Sequence, residues 1–197
     1  HFYFIFMSRI TDVKKIALAV IVALTLTACA KSETPAKVQN ITIAFGGDVH
    51  GVDQISSYLN NGGNPFKNIS KTLKNSDISL VNLESAVTDK TEHQDKEFVF
   101  NSNPYLLDWM KTEGIDVVNV GNNHAGDYLR EGFVDTLKNL NDRGFQVIGG
   151  GESGRDAWTA KIIQVRGTKI AFLGIAKVNS GVPTVASGEY AGTTDGW

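Results

Sequence analysis

The sequence predicts an α/β fold with a mostly parallel sheet. Short runs of β-branched and apolar residues alternate with segments whose apolar residues recur at helical spacing. The chain has 20 glycines and 4 prolines, which suits many tight turns between strands and helices. Two apolar runs near residues 161–175 flank a short Gly-containing turn and predict a late antiparallel hairpin.

The composition is typical of an ordinary globular protein. Hydrophobic residues make up 42% of the 197 residues and charged residues 20%, with a formal net charge of −2. The sequence has no basic stripe, so it gives no support to nucleic-acid binding.

Residues 1–28 are predicted to be a signal peptide. Met7 is the better candidate for the start of translation, which would leave residues 1–6 untranslated. An apolar run at 16–26 follows three basic residues and has the length of a signal-peptide core, not of a membrane span.

The sequence Leu26-Thr27-Ala28-Cys29 resembles the lipobox of bacterial lipoproteins. We therefore expect a lipid anchor on Cys29, a tether over residues 29–40, and a location in the cell envelope, facing the exterior or the periplasm. Cys29 is the single cysteine of the chain, so an intrachain disulfide is ruled out.

The predicted elements of the remaining chain, 41–197, follow in order. Strands are expected at 41–45, 78–83, 115–120 and 145–148, and the hairpin strands at 161–165 and 169–175. Asp53 is the expected cap of a first helix, and Asn64-Pro65 and Asn103-Pro104 are expected to open the next two. A fourth helix is expected to reach Arg143, before Gly144.

Polar side chains follow three of these strands, where each strand ends. Because the carboxyl ends of parallel strands lie at one edge of a sheet, we expect these groups to converge. Carboxylate, imidazole and amide groups suit a divalent metal, which can polarise a phosphate ester. The groups are Asp48 and His50, then Asn82 and Glu84, then Asn122, Asn123, His124 and Asp127.

Each of these residues also has a purely structural interpretation. Asp48 can cap a turn, His50 and Glu84 can be exposed, and Asp127 can cap the following helix. Asn82 and Asn119 can be amides that bridge neighbouring strands.

Four ordered blocks resemble the CapA family, the poly-gamma-glutamate capsule biosynthesis proteins with a calcineurin-like metallophosphoesterase domain. The resemblance runs from about Ile41 to about Val178. It implies part of an α/β/β/α sandwich and two divalent ions (Mn, Fe, Zn or Mg) in the full-length parent. The blocks are Phe45–Val49, Asn82–Glu84, Gly121–Tyr128 and Gly167–Gly174.

The resemblance also implies roles for individual residues. Asp48, Glu84 and Asn123 correspond to metal ligands, and His50 stands where phosphoesterases carry the histidine of an Asp-x-His motif. His124 corresponds to the catalytic histidine. Asp127 is expected to be a second catalytic residue, and Asn82 and Asn122 are expected to support the ligands.

Two features depart from the family pattern. Leu129 stands where the family usually has glycine after Asp-Tyr. Family members also continue further and supply more histidines, whereas the last histidine here is His124. We therefore expect a fragment or a degenerate remnant that is incomplete as a catalyst.

The first hypothesis is a lipid-anchored envelope protein of capsule or exopolymer synthesis with a metal-dependent phosphoesterase-like site. Its expected partners are the membrane and polymer-synthase subunits, with an anionic polymer or a phosphate ester as substrate. The alternatives are an exported phosphoesterase without a capsule role and a non-catalytic envelope scaffold or binding lipoprotein.

Overall fold

The computed structural model describes residues 40–177 and 185–194. The predicted signal peptide, Cys29 and all of the tether up to residue 39 lie outside the described residues. Within the part that is described, no helix is long and apolar enough to cross a membrane.

A four-stranded parallel sheet forms the centre of the fold, which confirms the predicted α/β class. Its strands follow the order β1-β2-β3-β4 across the sheet, so each pair of neighbours is joined by a crossover that contains a helix. The strands are β1 (Ile43–Val49), β2 (Ile78–Leu83), β3 (Val117–Asn119) and β4 (Gln146–Ile148).

The larger apolar core lies between this sheet and four of the helices. Leu59, Leu73, Met110 and Phe133 are buried there, one from each of these helices in turn. These four helices are α1 (Asp53–Asn60), α2 (Ser70–Asn75), α3 (Tyr105–Thr112) and α4 (Leu129–Asp142). A short fifth helix, α5 (Gly154–Ala157), adds no residue to this core.

The opposite face of the sheet is covered by the predicted hairpin. The remaining strands are β5 (Gly150–Gly151), β6 (Lys161–Val165), β7 (Thr168–Phe172) and β8 (Gly192–Thr193). β6 and β7 pair antiparallel, and they pack Ile163, Val165, Ile170 and Phe172 against a second, smaller core. The described layers are therefore helices, parallel sheet and hairpin, in that order.

Several predicted boundaries were wrong. Asn64-Pro65 opens turns rather than a helix, although the Asn64 side chain accepts the Phe66 amide, and α2 begins only at Ser70. Asp53 is the first residue of α1, not its cap, which is Val52. The short β5–β8 pair was not foreseen, because two glycine-containing dipeptides carry no strand pattern.

Candidate functional site

A bulge at the end of β1 determines where Asp48 lies. The register of β1 against β2 shifts between Phe45 and Asp48, and it resumes with Asp48 opposite Asn82. Gly47, inside the bulge, has φ +72°, a left-handed conformation that favours glycine. Bulges of this kind redirect side chains at sheet edges, and this one places the Asp48 carboxylate beside β2.

Asn82 connects the two candidate metal-binding carboxylates. Its amide nitrogen Nδ2 donates to Asp48 Oδ1 at 2.8 Å and lies 3.3 Å from Glu84 Oε2. Its carbonyl oxygen Oδ1 accepts from Asn119 Nδ2 at 2.8 Å and from Asn122 Nδ2 at 2.9 Å. Since Asn82 cannot rotate without losing these bonds, it holds both carboxylates in a defined orientation. Asn82 and Asn119 therefore bridge neighbouring strands, as the structural interpretation expects.

Like charge accumulates at Glu84. Burial raises the pKa of Glu84 above its usual value, and the neighbouring Asp48 carboxylate raises it further, while the His124 imidazole acts in the opposite direction. Both carboxylates lie within hydrogen-bond distance of Asn82 Nδ2, so they are close enough to repel each other when both are ionised. A cation between or beside them would relieve this repulsion.

Asn122 shapes the turn that follows β3. Its Oδ1 accepts the backbone N–H groups of His124 at 3.0 Å and Ala125 at 2.9 Å. Its Nδ2 also donates to the Leu83 carbonyl at 2.9 Å. The same side chain therefore folds the turn and fastens it to the end of β2, next to Glu84.

His124 and Asp127 form a hydrogen-bonded pair. His124 Nδ1 lies 2.8 Å from Asp127 Oδ2, and Asp127 is fully buried. Oδ2 also accepts the Phe100 amide and so acts as an acceptor; with Nδ1 as the donor to it, Nε2 is left for other contacts. Asp127 does not cap α4, because its carboxylate is used here and the cap residue is Tyr128.

The segment 94–100 supplies contacts that the sequence did not predict. Lys96 Nζ lies 2.5 Å from Asp127 Oδ1 and donates to the Asn123 carbonyl at 3.0 Å. The Phe100 amide donates to Asp127 Oδ2 at 2.6 Å. No motif marks this stretch; its polar, irregular composition was the only signal, and such composition also describes ordinary loops.

Two histidine rings flank the Phe100 ring. Phe100 stacks on His124 with 4.0 Å between ring centroids and 8° between planes, and it lies 5.1 Å from the His50 ring. His50 Nδ1 is buried and has no hydrogen-bond partner among the described residues. A buried ring nitrogen without a partner is available as a ligand atom.

The donor types fit a divalent cation, and the number of donors is small. Two adjacent carboxylates and a buried imidazole nitrogen are ligands that such ions use. Across residues 40–177 and 185–194, however, no three His, Cys, Asp or Glu side chains are grouped so that they could hold one ion. The assignment of Asp48, His50, Glu84 and Asn123 as ligands therefore stays a prediction.

The fold and site define an α/β protein with polar side chains at the carboxyl edge of a parallel sheet. The chain belongs to the family described as "Bacterial capsule synthesis protein PGA_cap", which it matches over residues 42–195. This confirms the predicted family.

Curated relatives support the same assignment. "Capsule biosynthesis protein CapA" of Bacillus anthracis is 30% identical over 142 residues, which is 69% of this chain and 34% of the relative. "PGA biosynthesis protein CapA" of Bacillus subtilis (strain 168) is 32% identical over 117 residues, 58% of this chain and 31% of the relative. The alignments thus cover about a third of each relative.

Proposed function

We propose that this chain carries part of a divalent-metal site for phosphoester chemistry, within an envelope protein of capsule polymer synthesis. The Asp48–Glu84 pair is the observation that carries the proposal: one amide nitrogen of Asn82 lies at hydrogen-bond distance from both carboxylates, and burial and the neighbouring Asp48 raise the pKa of Glu84. Two acidic groups held together by Asn82 are costly unless a cation compensates them. The family membership supports the link to capsule synthesis.

The residues around the pair have separate roles in this proposal. Asp48 and Glu84 bind the cation, and Asn82 orients both carboxylates through its amide. A bound divalent ion would polarise the oxygens of a phosphate ester. His124, whose Nδ1 is held by Asp127, would hold or deliver a proton at Nε2.

A binding titration tests the metal site directly. Isothermal calorimetry with Mn²⁺ on the full chain should show binding that Asp48→Asn and Glu84→Gln each weaken by at least about tenfold. Glu152→Gln is the matched control, since Glu152 is an exposed carboxylate outside the site. Equal affinity in all four proteins, or binding in none, would contradict the proposed metal site and favour a non-catalytic envelope protein.

The proposed location depends on Cys29. We propose a lipid anchor there, contact with the bacterial membrane and its polymer-synthase subunits, and an anionic polymer or phosphate ester as substrate. Bacteria that express the full chain and are fed labelled palmitate should incorporate label, and Cys29→Ser should abolish it. Label retained in Cys29→Ser would contradict the anchor.

An exported phosphoesterase with no capsule role is the alternative enzyme. Normal capsule in a strain that lacks the gene, together with release of phosphate from a generic ester by the protein, would favour it.

A further inference from the structure

We propose that Lys96 and Phe100 are positioning residues for His124, so that the segment 94–100 sets the direction in which His124 presents Nε2. Lys96 holds Asp127, which in turn holds Nδ1 of His124. Phe100 stacks on the imidazole ring and fixes the orientation of its plane. The inference rests on the proposed function, in which His124 moves a proton.

The contacts of Asp127 assign the role of Lys96. Asp127 is fully buried, and each of its oxygens has a partner: Oδ1 forms an ion pair with Lys96 Nζ, and Oδ2 lies at hydrogen-bond distance from His124 Nδ1 and accepts the Phe100 amide. A carboxylate that is fully enclosed by the protein is stabilised when a positively charged side chain lies against it. Lys96 supplies that charge, and Asp127 can then keep the proton of His124 on Nδ1.

Phe100 restrains a rotation of the His124 ring that the hydrogen bond to Asp127 still allows. A single hydrogen bond fixes Nδ1, but it allows the imidazole to rotate about the line that joins Nδ1 to Oδ2. The Phe100 ring lies parallel to the imidazole at 4.0 Å, so rotation would break the stacking contact. With Nδ1 and the ring plane both set, the direction of Nε2 follows.

The backbone of the segment 94–100 is itself anchored, which allows it to act as a support. The Gln94 amide donates to the Asp127 carbonyl at 2.8 Å, and Gln94 Nε2 donates to the Gly126 carbonyl at 2.8 Å. At the other end, the Phe100 carbonyl accepts the Ala86 amide at 3.0 Å. Lys96 and Phe100 therefore extend from a stretch that is tied down at both ends.

Histidine spectra of the full chain test the role of Lys96 without metal or substrate. Long-range ¹H–¹⁵N spectra should show His124 as a single species with its proton on Nδ1. Lys96→Met should broaden or double this signal, and Lys96→Arg should restore it, while Lys90→Met should have no effect because Lys90 only approaches Asp135, at 4.0 Å. If Lys96→Met does not fold, Lys96→Gln replaces it, with the same expectation. A His124 signal unchanged by loss of the Lys96 charge would overturn this step.

Ring shielding tests the role of Phe100 with a variant that leaves no buried charge unpaired. Phe100→Leu should move the His124 ring protons downfield and shift His50 less, whereas Phe98→Leu, at an exposed position, should shift neither. Unchanged His124 protons in Phe100→Leu would refute the stacking role. Because these spectra need no metal, a chain that shows them but binds no Mn²⁺ would contradict only the proposed function.

Discussion

The two halves of the candidate site treat charge differently. In the acidic half, formed by Asp48, Asn82 and Glu84, two carboxylates share one amide donor. In the histidine half, formed by His124, Asp127 and Lys96, the buried carboxylate has an ammonium group and an imidazole as partners. The histidine half balances its charge within the chain, and the acidic half leaves repulsion that an external cation would relieve.

This difference distinguishes residues that are ordered before any ligand binds from residues that are proposed to bind a cation. The groups that would move protons are already held in place by hydrogen bonds and stacking, so they need no ligand to become ordered. The groups proposed to bind metal are ordered by Asn82, but they are not electrostatically satisfied. Substitutions in the two halves should therefore have opposite effects on stability.

Loss of Lys96 should have the largest effect. Lys96→Met would remove the ammonium partner of the buried Asp127 carboxylate, and we expect the free energy of unfolding to fall by about 3–5 kcal/mol. Lys90→Met, at an exposed position, should change it by less than about 0.5 kcal/mol. Urea denaturation measures both variants. Equal stability of the two would show that Asp127 does not depend on Lys96.

The two halves also differ at their left-handed residues. Gly47 suits φ +72° in the acidic half, but Leu129, just after the histidine half, has φ +59° with a branched side chain. Relief of this strain in Leu129→Gly should raise the free energy of unfolding by roughly 0.5–1 kcal/mol, after the entropic cost of glycine.

A substitution that adds a side chain at the other left-handed residue, Gly47, is the control for this prediction. Gly47→Ala imposes a Cβ on a left-handed residue, and it should lower the free energy of unfolding by about 1 kcal/mol. Thermal and urea denaturation of the two variants measure the sign of each change in the free energy of unfolding. A destabilised Leu129→Gly would mean that the packing of the Leu129 side chain outweighs its backbone strain.

The pH dependence of stability should also have opposite signs at two glutamates. The pKa of Glu84 is raised, so the folded state binds the proton more tightly, and stability falls as pH rises from the ordinary value near 4.5 through the raised pKa. Glu84→Gln should remove this loss and gain on the order of 0.5 kcal/mol near neutral pH, the scale of a solvent-screened charge pair.

Glu113 provides the contrasting case outside the site. Lys74, at 2.8 Å, together with Ser70 and Asn64, lowers the pKa of Glu113 to about 2. Its stabilising effect is present above its ordinary pKa and is lost as pH falls towards 2. Denaturation of Glu84→Gln and Glu113→Gln from pH 7 to pH 2 compares the two. Parallel pH profiles would contradict the assigned repulsion at Glu84.

The sequence predicted the regular parts of this fold well. The segment 78–83 became β2 as predicted, and the helix expected after Asn103-Pro104 buries Leu106, Leu107 and Met110. These elements have strong apolar periodicity and clear boundaries. The start of α2 was misplaced because an Asn-Pro pair opens turns as readily as helices.

The rule that parallel strands end at one edge of the sheet also predicted where the polar residues meet. It did not predict the residues that support them. Asp48, Asn82 and Glu84 meet because parallel strands end together. Lys96 and Phe100 come from an irregular segment with no periodic pattern, and their contacts depend on tertiary folding that places it over the turn at His124. Local patterns carry no information about such contacts.

Anomalous diffraction from crystals of the full chain soaked in Mn²⁺ tests the central claim most directly. The account predicts a manganese peak bound by the Asp48 and Glu84 carboxylates, and a histidine half with the same contacts with and without metal. A peak elsewhere, or no peak at these carboxylates, would contradict the claim that the acidic half is the cation site.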